Sequence, residues 1–98
     1  MTRIIYKYEL DIFGSGNEFI DIKIPAGADI LTVDLQKVRH GEMPQLWALA
    51  DMSKPVETRR IWVFGTGVPI NTNAELLYIS TVQIHDGHLI MHFFEEIK

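Results

Sequence analysis

The chain has no cysteine, which excludes disulfides, a thiolate metal site and a cysteine nucleophile. Long apolar runs are also missing: no stretch approaches the roughly 18 residues a helix needs to cross a bilayer. The opening Met1-Thr2-Arg3-Ile4-Ile5-Tyr6-Lys7 lacks the apolar core of about 7–15 residues that marks a secretory signal. Basic charge is short as well. A net charge of −4 argues against general nucleic-acid binding, which depends on neutralising phosphates, although a local basic patch still suits a small anion. No internal repeat or low-complexity segment interrupts the sequence. A soluble intracellular protein that needs no cofactor is the simplest expectation.

What is present is a globular composition. With 47% apolar and 22% charged residues over 98 positions, the chain reads as one folded domain spanning residues 1–98. A domain of this size buries only about 60–65% of the surface its unfolded form exposes.

The dominant periodicity is two. Ile4, Tyr6, Tyr8 and Leu10 alternate with Ile5, Lys7 and Glu9. Ile20, Ile22 and Ile24 oppose Asp21 and Lys23, and Leu31, Val33 and Leu35 oppose Thr32, Asp34 and Gln36. Gly14-Ser15-Gly16-Asn17 and Pro25-Ala26-Gly27 separate these runs as turns. Leu46–Ala50 reads as a fourth strand after Gly41 and Pro44; it is too short for the helix its Ala and Leu content favours. Thr58–Phe64, Leu76–Ile84 and Leu89–Glu95 complete the set. Asp86-Gly87 predicts a type I′ hairpin turn, because both central residues need positive φ. The expected fold is all-β, a compact sandwich or small barrel of about seven short antiparallel strands.

The first three strands look solvent-facing, whereas the last three carry large side chains on both faces. Ile61-Trp62-Val63-Phe64 and Leu89 to Phe94 are the clearest cases. One face lines a core; the other calls for a second layer, a ligand or another subunit, unless a closed barrel covers both. Burying about four such side chains per subunit is worth ~6–12 kcal/mol before association entropy. A homo-oligomer through the C-terminal strands is therefore expected.

Several residues carry chemistry. His85 and His88 flank the hairpin turn with Asp86 between them, yet a zinc site needs a third ligand, and His92 lies about 13 Å along the strand; no metal is expected. Gly65-Thr66-Gly67 lacks the Lys and helix of a phosphate loop, so a turn with Gly at positive φ accounts for it. Arg59 and Arg60 are adjacent on a strand and point to opposite faces. Lys37, Arg39 and His40 gather in one connection. With Trp47, Trp62 and Tyr78, these cations are the ingredients of a nucleotide pocket. Ser15, Ser53 and Ser80 sit in no nucleophile elbow, and the Glu95-Glu96 and Glu9/Asp11 carboxylates read as solvating charges, so the chain is expected not to be an enzyme.

Ile5-Tyr6-Lys7-Tyr8-Glu9-Leu10 and Pro25-Ala26-Gly27-Ala28-Asp29-Ile30-Leu31 resemble an uncharacterised family of small proteins from tailed bacteriophages. Leu46-Trp47-Ala48-Leu49, Thr58-Arg59-Arg60, Gly65-Thr66-Gly67, Tyr78 to Gln83 and His92-Phe93-Phe94-Glu95 extend the resemblance over nearly the whole chain; Val68 stands where that family is expected to carry His. The resemblance implies action in the cytoplasm of the infected bacterial host and no assigned activity. By analogy with phage proteins of this size, the leading expectation is an oligomeric accessory protein that sequesters a small nucleotide-like defence signal. Lys37, Arg59 and Arg60 would face phosphate, Trp47 and Tyr78 would stack a base, and Thr66 and Thr81 would hydrogen-bond. The alternative is a protein-only role as an inhibitor of a host enzyme or a minor virion part. A histidine-dependent phosphodiesterase is a third reading.

Overall fold

The computed structural model describes residues 2–12, 18–39, 41–84, 86–87 and 89–97. His40, His85 and His88, named above, lie outside the described residues.

Seven antiparallel strands make up two sheets in a sandwich-like arrangement, not a closed barrel. They are β1 (Arg3–Glu9), β2 (Phe19–Pro25), β3 (Asp29–Val38), β4 (Gly41–Asp51), β5 (Val56–Gly65), β6 (Glu75–Ile84) and β7 (Leu89–Ile97). One sheet has the order β1-β4-β3 and the other β2-β5-β7-β6. Among the described residues there is no helix, so none is long and apolar enough to cross a membrane.

The alternation of β2 reads as expected: Ile22 and Ile24 are buried while Asp21 and Lys23 are exposed. Between the sheets they join Leu10, Val33, Leu46, Ala48, Ile61, Val82, Ile84 and Phe93 in one core. The division into a polar N-terminal layer and an apolar C-terminal layer does not hold. β2 pairs with β5 in the C-terminal sheet, and β4, at the centre of the other sheet, is among the most buried strands.

Three local departures have physical causes. Leu31, expected on the buried face with Val33, is 49% exposed, because a bulge between Ile30 and Thr32 reverses the alternation and turns Ile30 toward the core instead. Pro44, expected to precede β4, lies inside it. Its C=O accepts from the Leu10 amide at 2.9 Å, so the N–H it lacks would point at the place where β1 has already ended. A second bulge interrupts β6 between Tyr78 and Ser80. It lies where the sheets meet, with the Ser80 hydroxyl 2.9 Å from Thr32 Oγ1 and accepting from the Val33 amide at 2.9 Å.

The turns follow their residues. Asp86 and Gly87 have φ of 57° and 87°, as a type I′ turn requires. Gly67, at φ 80°, closes the Gly65-Thr66-Gly67 turn, in which the Val68 amide donates to the Gly65 carbonyl.

Candidate functional site

Strand register lays the outer face of the four-stranded sheet out in rows. Phe19 stands opposite Trp62, Trp62 opposite Phe94 and Phe94 opposite Tyr78, so one row of aromatic rings crosses all four strands. Ring centroids lie 5.1 Å apart for Phe19 and Trp62, and 5.4 Å for Phe94 and Tyr78. Phe64, in the next row, stacks on Trp62 at 5.8 Å and meets Phe94 edge-on at 5.9 Å. Tilted and offset contacts of this kind suit the ring quadrupoles. They also cover Phe64, which is 4% exposed although it belongs to the outer layer and not to the core between the sheets. The second apolar face thus partly covers itself. Tyr78 remains 55% exposed at one end of the row.

A polar corner adjoins Tyr78. Its hydroxyl lies 2.8 Å from Thr81 Oγ1, which is 2.9 Å from His92 Nδ1. His92 Nε2 is 2.8 Å from Thr66 Oγ1, supplied by the turn after β5. Hydroxyls and a neutral imidazole both donate and accept, so this series of four groups can turn either a donor or an acceptor toward a bound molecule. Tyr78 and Thr81 share a face only because of the β6 bulge. On an unbroken strand, residues three apart would point to opposite sides.

At the other end of the row, the Arg60 guanidinium lies 3.8 Å from the Phe19 ring centroid and binds both oxygens of Asp21 at 2.8 and 3.1 Å. This hydrogen bond holds the Asp21 carboxyl below its ordinary value and pushes the Arg60 guanidinium up. Trp62 donates from Nε1 to Glu96 at 2.9 Å.

Arg59 points the opposite way, as adjacency on a strand requires. It donates to Glu95 and, at 2.8 Å, to the Ala28 carbonyl, with Glu57 at 3.6 Å. The hydrogen bond to Glu95 pushes its pKa up, against the effect of burial. The pairing of β5 with β7 ends at Ile61 and Glu95, while both strands run on, leaving a fork between them. The fork holds a cleft of about 600 Å³ that sets Arg59 and Arg60 among Asp21, Glu57, Glu95 and Glu96. Four carboxylates against two guanidiniums make it a poor seat for phosphate.

Of the seven residues expected to bind ligand, Thr66, Tyr78 and Thr81 come together, and Arg60 shares their face. Lys37 and Trp47 do not join them. Lys37 lies near the β3–β4 turn opposite Glu42, and Trp47 is on the other sheet, with Lys7 Nζ 5.8 Å from its ring centroid. Arg59 is on the inner side of its sheet. Strand order keeps Lys37 and Trp47 on the other sheet and Arg59 on the opposite face, apart from the remaining four. His92 as the hub of the polar corner, and Phe19, Phe64 and Phe94 as the platform, are not among the seven expected ligand residues. The signal was there in part: Trp62-x-Phe64-x-Thr66 and His92-x-Phe94-x-Glu96 each put alternate residues on one face.

Neither the curated proteins nor the solved structures offer a match to this chain. A family model does: the one described as "Domain of unknown function (DUF7352)" matches residues 1–98. The chain, from end to end, belongs to the DUF7352 family.

Proposed function

We propose that the protein is a non-enzymatic binding protein that sequesters a small, base-bearing, nucleotide-like ligand on the outer face of the four-stranded sheet. The observation that carries this reading is the aromatic row ending in the exposed Tyr78 beside the Thr66–His92–Thr81 corner. A planar base stacked on Tyr78 and Phe94 would bring its polar edge to hydroxyls and an imidazole of adjustable polarity, and stacking of this kind is worth about 1–3 kcal/mol per base. The Arg60 guanidinium lies over Phe19 of β2, at the far end of the row from Tyr78, and is already neutralised by Asp21. Recognition therefore rests on the base more than on phosphate. On this reading the protein works in the cytoplasm of a phage-infected bacterium and keeps a defence signal from its receptor.

Calorimetric titration with adenosine, guanosine, their monophosphates and a cyclic dinucleotide tests the idea. At least one is expected to bind, with affinity lost in Tyr78→Ala. The absence of binding by all of them, or binding indifferent to Tyr78→Ala, would overturn it.

A second reading is self-association through the C-terminal strands, favoured because the aromatic row contains no charged side chain. It predicts a dimer that Tyr78→Ala dissociates and no heat with any nucleotide.

A further inference from the structure

Three exposed apolar residues stand in succession on an open sheet edge. Ile4, Ile5 and Tyr6 are 40%, 63% and 46% exposed. They lie on β1, which ends its sheet: among the described residues, β4 is the only strand hydrogen-bonded to it. Open edges are ordinarily guarded by proline, a bulge or an outward lysine. β1 has no proline and pairs with β4 without a register shift. Its one lysine leans back across its own sheet. Lys7 passes over Trp47 on β4 and donates to Gln36 Oε1 on β3 at 2.6 Å, so its charge is carried away from the edge.

We propose that β1 pairs with β1 of a second copy, antiparallel and centred on Tyr6, joining the two three-stranded sheets into one of six strands. Two features of the strand select this partner and register. The first is backbone direction. Leu10 donates its amide to Pro44 of β4, so by alternation the even-numbered residues of β1 point their N–H and C=O toward β4, and Arg3, Ile5, Lys7 and Glu9 point theirs outward. A two-fold axis through Tyr6 sets Arg3 opposite Glu9 of the partner subunit and Ile5 opposite the partner's Lys7, pairing outward-directed groups throughout.

The second is charge. Centring on Tyr6 places opposite charges face to face at both ends of the ribbon. A shift of two residues either way in the sum of paired positions breaks both Arg3–Glu9 pairs, leaving Glu9 opposite Met1 or Ile5 of the partner subunit. Opposite charges directly opposed stabilise a pair of strands. On the inner face Ile4 meets Tyr8 of the partner subunit, so the Tyr6–Tyr8 ring pair, 5.3 Å apart, is extended by its symmetry copy. The proposal is independent of the ligand face, which lies on the other sheet.

Reversal of single charges tests it. Sedimentation of the full chain is expected to show a dimer whose dissociation constant rises about tenfold or more in Arg3→Glu and in Glu9→Arg, and is restored in the double reversal. Because the chain has no cysteine, Tyr6→Cys reports the register directly. Facing residues of a non-hydrogen-bonded pair have Cα atoms about 4.5 Å apart, within disulfide reach. Mild oxidation should cross-link Tyr6→Cys and leave Ile4→Cys uncross-linked. A wild-type monomer at all concentrations, a dimer unmoved by the reversals, or equal cross-linking of the two cysteine variants would each overturn the proposal.

Discussion

Thr81 stands directly opposite His92 across the β6–β7 ladder, its hydroxyl 2.9 Å from Nδ1 and 2.8 Å from the Tyr78 hydroxyl. One exposed side chain thus ties the imidazole of one strand to the phenol of its neighbour. Replacing Thr81 by Val keeps the shape and removes the link. Tyr78 is open to water and His92 only half-buried, so stability should change by less than about 1 kcal/mol in urea titrations. Ligand affinity in calorimetry should fall about tenfold or more. Unchanged affinity would remove the polar corner from the site.

Asp21 holds the Arg60 guanidinium on both oxygens. Asp21→Asn should release that charge onto the aromatic face. Nucleoside monophosphates should then bind more tightly, while the neutral nucleosides keep their affinity. An equal gain for both would mean that the substitution acts on the platform and not through charge.

Phe64 is as buried as a core residue yet belongs to the outer layer. Phe64→Ala should cost about 3 kcal/mol in denaturant unfolding, comparable with a substitution in the central core. Tryptophan fluorescence should change with it, since Trp62 loses the ring it stacks on. A cost below about 1 kcal/mol would show that the outer layer adds little to the fold.

Two carboxyls are held below the ordinary aspartate value of 3.8: Asp21 chiefly by the hydrogen bond from Arg60, and Asp51 by the hydroxyl and amide of Ser53. Because both are lowered on folding, the stability they contribute is fully present above pH 3.8 and is lost as pH falls through their lower folded-state values. The urea midpoint should hold steady from neutral pH down to that region and then drop. Asp21→Asn should shrink the drop without abolishing it. A midpoint that rises on acidification would contradict the assignment.

How much of this was legible in the residues depends on the range over which each feature is decided. Alternation in β2, the Asp86-Gly87 turn, the Gly67 turn and the divergence of Arg59 from Arg60 are set by neighbours in sequence, and all were readable there. The exposure of Leu31 was not, because the bulge that produces it lies where β3 meets β6. The burial of Pro44 within β4 was not either, because it depends on β1 stopping one residue short.

The amino-acid sequence by itself determined that the chain is all-β, where most of the strands lie and that large side chains occupy both faces of the C-terminal ones. Period-two patterning and turn chemistry are local, and local physics suffices for them. Only the tertiary structure decided which strands became neighbours, and therefore that Phe19, Trp62, Phe94 and Tyr78 form one row while Lys37 and Trp47 stand elsewhere. The bulge beside Ile79 brings Tyr78 and Thr81 to the same face, and register across the ladder sets His92 against them. Register depends on backbone hydrogen bonds between segments distant in the chain, and no spacing within a single strand records it.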